Sequence, residues 1–276
     1  MVLSNIQFNK IRELLYSRTG IQIKESKIEF LSRKVYLRMK EIDIESVDDY
    51  IRYLVFDKTG MEQEDFVDLV VINETYFFRD YQLMRFFGEE ILPIMVKEKG
   101  SKRNISILSA GCSTGDEPYT LAIILREMLD DVSEWNLRID AADISRKVLD
   151  TARKGLYTSH ALREIPELYR NRYFEKTGES YQLVPALIGM VNFRRVNLFD
   201  PLQMAALYRY DVVFCRNVLI YFDSESRTRV LEHLYDAMNP SGFIFLGPGE
   251  GIGRMGALFD FQRYGRSFAY RKNLPK

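Results

Sequence analysis

A short apolar run, Ile105–Ser109, ends at a glycine and passes into a helical pattern, Glu117–Leu129, and that unit then repeats. Leu137–Ala142 reads as a second strand with Ser145–Lys154 as its helix. Asp211–Cys215 is followed by a helix from Ser224 to Met238, a Pro-Ser-Gly turn and the strand Phe243–Leu246. Such alternation predicts an α/β fold built on a parallel sheet. One segment breaks the rule. In Arg172–Val184, RYFEK and YQLV flank a TGES turn, which predicts a small antiparallel β insert at about residues 170–190.

The first seventy residues carry another period. Ile6–Tyr16, Ser26–Met39, Val47–Phe56 and Glu62–Ile72 all space their apolar residues as helices do. They predict a small all-helical domain at 1–72 ahead of an α/β domain at 73–276. Charge is segregated here: Lys24–Lys40 holds six basic residues against two acids, and Glu41–Asp68 ten acids against two bases. At about 100° per residue, Lys27, Lys34 and Arg38 fall in a stripe roughly 40° wide. An apolar stripe of Ile28, Leu31, Val35 and Met39 runs beside it. The basic stripe is either a solvated face or a docking face for an acidic partner.

Composition narrows the chemistry. There are only two histidines, His160 and His233, and neither lies beside a plausible nucleophile, so Ser/His/Asp and Cys/His mechanisms lack material. Cys112 and Cys215 cannot make a disulfide framework, and no Cys/His spacing suggests a metal. With 39 Lys+Arg against 39 Asp+Glu, general nucleic-acid binding is disfavoured. No apolar run approaches the roughly 18 residues of a membrane span, and the start lacks the order of a secretory signal. The expectation is a cytoplasmic monomer without membrane insertion.

The first strand ends in Ser109-Ala-Gly-Cys-Ser-Thr-Gly-Asp-Glu-Pro118, a strand–glycine loop–helix unit of the nucleotide-binding kind. Its G-x-x-x-G spacing matches neither the dinucleotide fingerprint nor the Walker motif. Asp116 and Glu117 stand where the helix begins, and carboxylates there would repel a pyrophosphate. The loop suits a nucleoside that has no phosphate and carries positive charge, as S-adenosylmethionine does; otherwise it is a tight turn that packs a helix. Asp143, at the end of the second strand, can accept from a ribose diol. It could equally cap the next helix.

Four motifs then occur in order: Asn73-Glu-Thr-Tyr-Phe-Phe-Arg-Asp80, SAGCSTGDEPYTLA at 109–122, DVVFCRNVLIYF at 211–222 and NPSGFIFLGPGE at 239–250. Together they resemble the chemotaxis receptor methyltransferases, the CheR family, over nearly the whole chain. The resemblance implies a Rossmann-like S-adenosylmethionine-dependent methyltransferase domain behind the helical one. It implies glutamate side chains of methyl-accepting chemotaxis receptors as substrate. By motif, Asn73, Thr75 and Arg79 match cofactor-contacting positions, Glu117 the acid holding the methionine end, and Asp143 the ribose acid. Asn197 and Leu198 match the pair flanking the adenine, Arg216 and Asn217 the pair after the fourth strand, and Tyr221 the tyrosine near the transferred methyl. Two departures stand out: Gly-Asp-Glu replaces the usual Gly-Glu-Glu, and Gly247-Pro-Gly-Glu250 is a stiffer ending for its strand than usual.

A glutamate, with an unperturbed pKa near 4.3, arrives ionised, so the transfer needs no general base. Alignment should dominate, with Arg79 and Tyr221 as the aligning residues. Their alternatives are a surface ion pair of Arg79 with Asp80 or Glu74, and core packing of Tyr221 between Ile220 and Phe222. Tyr76, Phe77 and Phe78 are read as core. Two other functions compete: a methyltransferase acting on RNA or a small molecule, and a regulatory module that binds cofactor or receptor without turnover.

Overall fold

The structure, a computed structural model, describes residues 2–71, 74–100 and 102–274. The N-terminal part consists of α1 (Asn5–Thr19), α2 (Ile28–Glu41), α3 (Val47–Phe56) and α4 (Met61–Val70). Ser4 and Gln7 form a capping box at the start of α1, and Ser46 caps α3, each satisfying an orphan amide. Phe8, Ile11, Leu31, Val35, Tyr50 and Phe66 meet in a separate small core.

The basic stripe does not survive folding intact. Glu25–Lys27 is a 3-10 turn, so Lys27 stands ahead of α2 rather than on it. Lys34 lies over the ring of Phe30. Arg38 is turned inward: its guanidinium reaches Glu62 at 2.7 Å, Asp65 at 2.8 Å and Glu41 at 3.0 Å. Glu62 is only 3% exposed and also accepts from the Tyr50 hydroxyl. Part of the basic segment therefore neutralises the acidic one inside the domain, because a buried carboxylate must be paired.

The second part opens with α5 (Tyr81–Phe86), a π-helical turn (Phe87–Ile91) and α6 (Leu92–Lys99). Then come β1 (Asn104–Ala110), α7 (Asp116–Met128), β2 (Asn136–Asp143) and α8 (Arg146–Lys154). An insert follows: β3 (Leu156–Thr158), α9 (Glu167–Tyr173), β4 (Phe174–Thr177) and β5 (Ser180–Leu183). The chain continues through α10 (Pro185–Ile188), β6 (Val191–Arg195), α11 (Pro201–Ala205), β7 (Tyr210–Cys215), α12 (Ser224–Asp236) and β8 (Met238–Leu246). It closes with β9 (Phe259–Tyr264) and β10 (Ser267–Lys272).

The main sheet has seven strands in the order β6-β2-β1-β7-β8-β10-β9. The first five are parallel, and β10 runs antiparallel to both β8 and β9. This is a Rossmann-like sheet, and its strand order reverses between β1 and β7, where such folds open a crevice. The Pro-Ser-Gly turn expected ahead of Phe243 is drawn into β8 as a register shift, with Ser241 at φ 59°. The small sheet is wider than its hairpin reading. Its order is β3-β5-β4, so the short strand after α8 pairs with β5, while Arg172 and Tyr173 belong to α9.

The two parts are joined by polar contacts. Asp68 of α4 accepts from the backbone N–H of Arg146 at 3.1 Å and Lys147 at 3.3 Å, on the first turn of α8. Tyr16 donates to Asp223 at 2.8 Å, and Gln22 N–H donates to the carbonyl of Tyr221 at 2.9 Å.

Candidate active site

The carboxyl ends of β1, β2 and β7 open into a cleft of about 510 Å³, within the ~300–1,000 Å³ usual for small-molecule sites. Its floor and walls come from the sheet loops and the 74–79 segment. Its roof comes from the helical domain, including Gln22, Lys24, Lys27 and Phe30, a contribution that no motif announced.

The glycine loop has the conformation its sequence suggests. Gly111 sits at φ 77°, and a Cβ there would come within 2.3 Å of Val218. Only glycine lets the β1 and β7 loops approach so closely. Ser113 also takes a left-handed conformation, at φ 48°, where its N–H donates to the Asp143 carboxylate at 2.9 Å.

Asp143 accepts a second backbone bond from Ser145 N–H at 3.0 Å and is 7% exposed. Burial raises its pKa, and the backbone donors oppose that shift. Capping α8 is not its task, because the cap is Ser145, whose hydroxyl accepts from Val148 N–H. Asp143 is left as the acid that lines the cleft at the end of β2.

The two carboxylates heading α7 part company. Glu117 lines the cleft, accepting from Ser109 Oγ at 2.7 Å and Arg216 Nη1 at 2.9 Å. Asp116 is fully buried; one oxygen accepts from Thr114 Oγ1 at 2.6 Å and the other has no partner among the described residues. Burial pushes its pKa up to about 6.

Arg216, with a side chain 2% exposed, ties Glu117 to Asp80 and to the carbonyl of Arg79. Asp80 is thereby taken, so the expected alternative of an Arg79–Asp80 pair does not form. Arg79 donates to the carbonyl of Glu74 at 2.9 Å, and no carboxylate pairs with it among the described residues. The segment that carries it is strained: Phe78 and Asp80 both have φ 57°, the kind of outlier that concentrates at functional sites.

Tyr221 lines the cleft instead of filling the core. Its neighbour Phe222 is buried, and Ile220 is 51% exposed. Burial raises the phenol's pKa above its ordinary value, with Arg79 pulling the other way, so it stays protonated at neutral pH. Asn217 reaches the cleft from a left-handed conformation at φ 59°, with its buried Oδ1 unpartnered among the described residues.

Thr75 and Leu198 line the same cavity. Asn197 does too, but its side chain is committed, donating to the carbonyl of Arg18 at 2.7 Å and accepting from Phe199 N–H at 3.0 Å. Asn73 lies outside the described residues. The three aromatics read as core are divided: Phe77 is interior, Phe78 is buried but touches the cleft, and Tyr76 lines it with Arg163 stacked 3.5 Å from its ring.

The cleft suits a cationic nucleoside. Its acids Asp143, Glu117 and Glu74 are spread along the floor and mouth, and the start of α7 carries carboxylates where a phosphate would sit. Neither histidine is part of it, and the Cys112 thiol is pushed well above its ordinary pKa by burial.

Comparisons with known proteins agree with this chemistry. Residues 73–266 match the CheR methyltransferase, SAM binding domain, and residues 6–71 match the CheR methyltransferase, all-alpha domain. The chain is 32% identical to chemotaxis protein methyltransferase 2 of Vibrio cholerae, over 99% of this chain and 94% of that protein. It is 34% identical to chemotaxis protein methyltransferase 2 of Pseudomonas aeruginosa, over 88% and 85% of the two chains. It is also 34% identical to the probable biofilm formation methyltransferase WspC of that organism, over 88% of this chain but 56% of WspC.

Proposed function

Because this chain belongs to the CheR methyltransferase family, we propose that it methylates glutamate side chains on the cytoplasmic helices of chemotaxis receptors. It is an S-adenosylmethionine-dependent methyltransferase of the chemotaxis type. The cofactor supplies an activated methyl group on a sulfonium.

The observation that carries the reading is that Arg79 and Tyr221 both line a cleft to which neither histidine contributes. A guanidinium with no carboxylate partner among the described residues and a protonated phenol both favour an anionic acceptor. A carboxylate needs no deprotonation at neutral pH, whereas an amine would. Arg79 and Tyr221 would hold the acceptor oxygen in line, a use of binding energy that can contribute up to about 7–11 kcal/mol.

Around them, Asp143 would accept from the ribose hydroxyls. Glu117 would face the ammonium of the methionine end, and Leu198 with the backbone at Asn197 would flank the base. Thr75, Arg216 and Asn217 complete the set, together with Asn73. Lys27 and Lys34 would meet an acidic receptor surface, and Arg38 would support the domain that carries them.

Incubation with methyl-labelled S-adenosylmethionine and receptor cytoplasmic fragments tests this. The expected result is label on glutamate that base releases as methanol. Base-stable label, or label confined to RNA, would overturn it. The likeness to WspC favours a second reading, in which the methylated receptor serves biofilm formation; receptor fragments from both kinds of pathway distinguish the two.

A further inference from the structure

The strand ending that departs from the family pattern, Gly247-Pro-Gly-Glu250, is a type II turn. Pro248 takes the second position and Gly249 the third, at φ 77°, and Glu250 N–H closes on the carbonyl of Gly247 at 3.1 Å. The parallel register pairs Cys215 with Leu246, so this turn leaves the sheet beside the segment that carries Asn217 and Tyr221.

The turn folds the Glu250 side chain back under that segment. Its Oε2 accepts from Gly247 N–H at 2.7 Å and Asn217 N–H at 2.8 Å, and its Oε1 from Ile220 N–H at 3.2 Å. The residue is 5% exposed, and no lysine or arginine pairs with it among the described residues. A buried carboxylate held only by amides is costly unless those bonds are well made. The fit leaves no slack: a Cβ at Gly247 would lie 2.6 Å from Oε2 and 2.7 Å from the Asn217 nitrogen.

What the carboxylate holds is a conformation the chain would not keep alone. Asn217 is left-handed, and Leu219–Tyr221 is a single 3-10 turn, too short to be stable by itself. Glu250 is not among the residues that line the cleft. It must act through the ones that are.

We infer that Glu250 is the positioning residue of the methyl-transfer site: its carboxylate holds the Asn217–Tyr221 turn so that the Tyr221 phenol faces the cleft. The inference rests on the reading of Tyr221 as an aligning residue. It also gives the departure from the family pattern a physical role, since a proline–glycine turn fixes the direction of the carboxylate.

The test uses the full chain with Glu250→Gln and Glu250→Asp. Glutamine keeps the size but sets an NH2 group against a backbone N–H, and aspartate keeps the charge but falls short by a methylene. With a receptor fragment that the wild type methylates, both variants should lose about tenfold or more in kcat, with KM for the fragment within twofold. In protein labelled with 13C-tyrosine, the ring resonance that disappears in Tyr221→Phe should shift in both variants. Wild-type kcat in Glu250→Gln, or an unmoved Tyr221 resonance, overturns the inference. The resonance needs no turnover. A wild type inactive on receptor fragments would therefore overturn the proposed substrate, while the resonance still decides on Glu250.

Discussion

Arg216 Nη1 lies 2.9 Å from Oε2 of Glu117, joining the end of β7 to the first turn of α7 beneath the cleft. The arginine side chain is 2% exposed and the glutamate 14%, so this is an interior contact. Removing one partner of such a pair strands the other, at a cost of about 3–5 kcal/mol. Arg216→Ala should lower the urea-unfolding free energy by that order and weaken S-adenosylhomocysteine binding with it. Arg216→Lys should rescue only part, because one ammonium cannot serve Glu117, Asp80 and the Arg79 carbonyl in their present directions. A lysine variant of full stability and affinity would show that charge alone suffices.

Asp143 and Tyr221 should separate binding from turnover. Asp143→Ala should weaken S-adenosylhomocysteine by about 1.5 kcal/mol or more in calorimetry, the lower range for a charge-assisted bond. Tyr221→Phe should lower kcat while cofactor affinity and Tm stay near wild type, since the hydroxyl has no partner among the described residues. Full turnover in the phenylalanine variant would return Tyr221 to a packing role.

Asp116 predicts a pH effect on stability. Its folded pKa of about 6 stands above its ordinary 3.8, so the folded state binds its proton more tightly than the unfolded state does. The stability this contributes is full below about pH 4 and is lost as pH rises through 6, at about 1.4 kcal/mol for each pH unit crossed between the two values. Asp116→Asn should therefore gain on the wild type by roughly 2–3 kcal/mol between pH 4 and pH 7.5, whatever constant offset the amide brings. Parallel denaturation curves at the two pH values would contradict it.

Arg38 and Lys27 should behave oppositely, although the sequence sets them on one stripe. Arg38→Ala would leave Glu62 buried without a cation, and unfolding should become easier by about 3–5 kcal/mol. Lys27 is exposed and unpaired among the described residues, so Lys27→Glu should change stability by no more than about 0.5 kcal/mol. If Lys27 meets an acidic receptor, the same change should lower kcat/KM for receptor most at low salt. Equal rates at low salt would make it plain surface.

The parallel sheet is written in the chain's local pattern, because strand and helix periods alternate and the glycine loop at 111–115 marks the first crossing from one to the other. The helical N-terminal region is written there by the same means, and Val47–Phe56 is legible to the residue. The cleft's lining is legible too, since Gly111, Glu117, Asp143, Arg216 and Tyr221 follow strands whose ends share one edge of a parallel sheet. Local pattern carries that much.

What each side chain does there is settled by partners far away in the chain. Asp80 is open to Arg79 by proximity, yet it is held by Arg216, 136 residues on. Arg38 reads as free surface until Glu62 and Asp65 fold against it. β3 is too short to carry a period, and exists because β5 offers it a ladder. The roof over the cleft, and the grip of Glu250 on Asn217, arise where two stretches with no shared pattern are packed together. Periodicity records which face a residue turns inward; only packing decides which charge or amide it meets there, and burial makes that meeting obligatory.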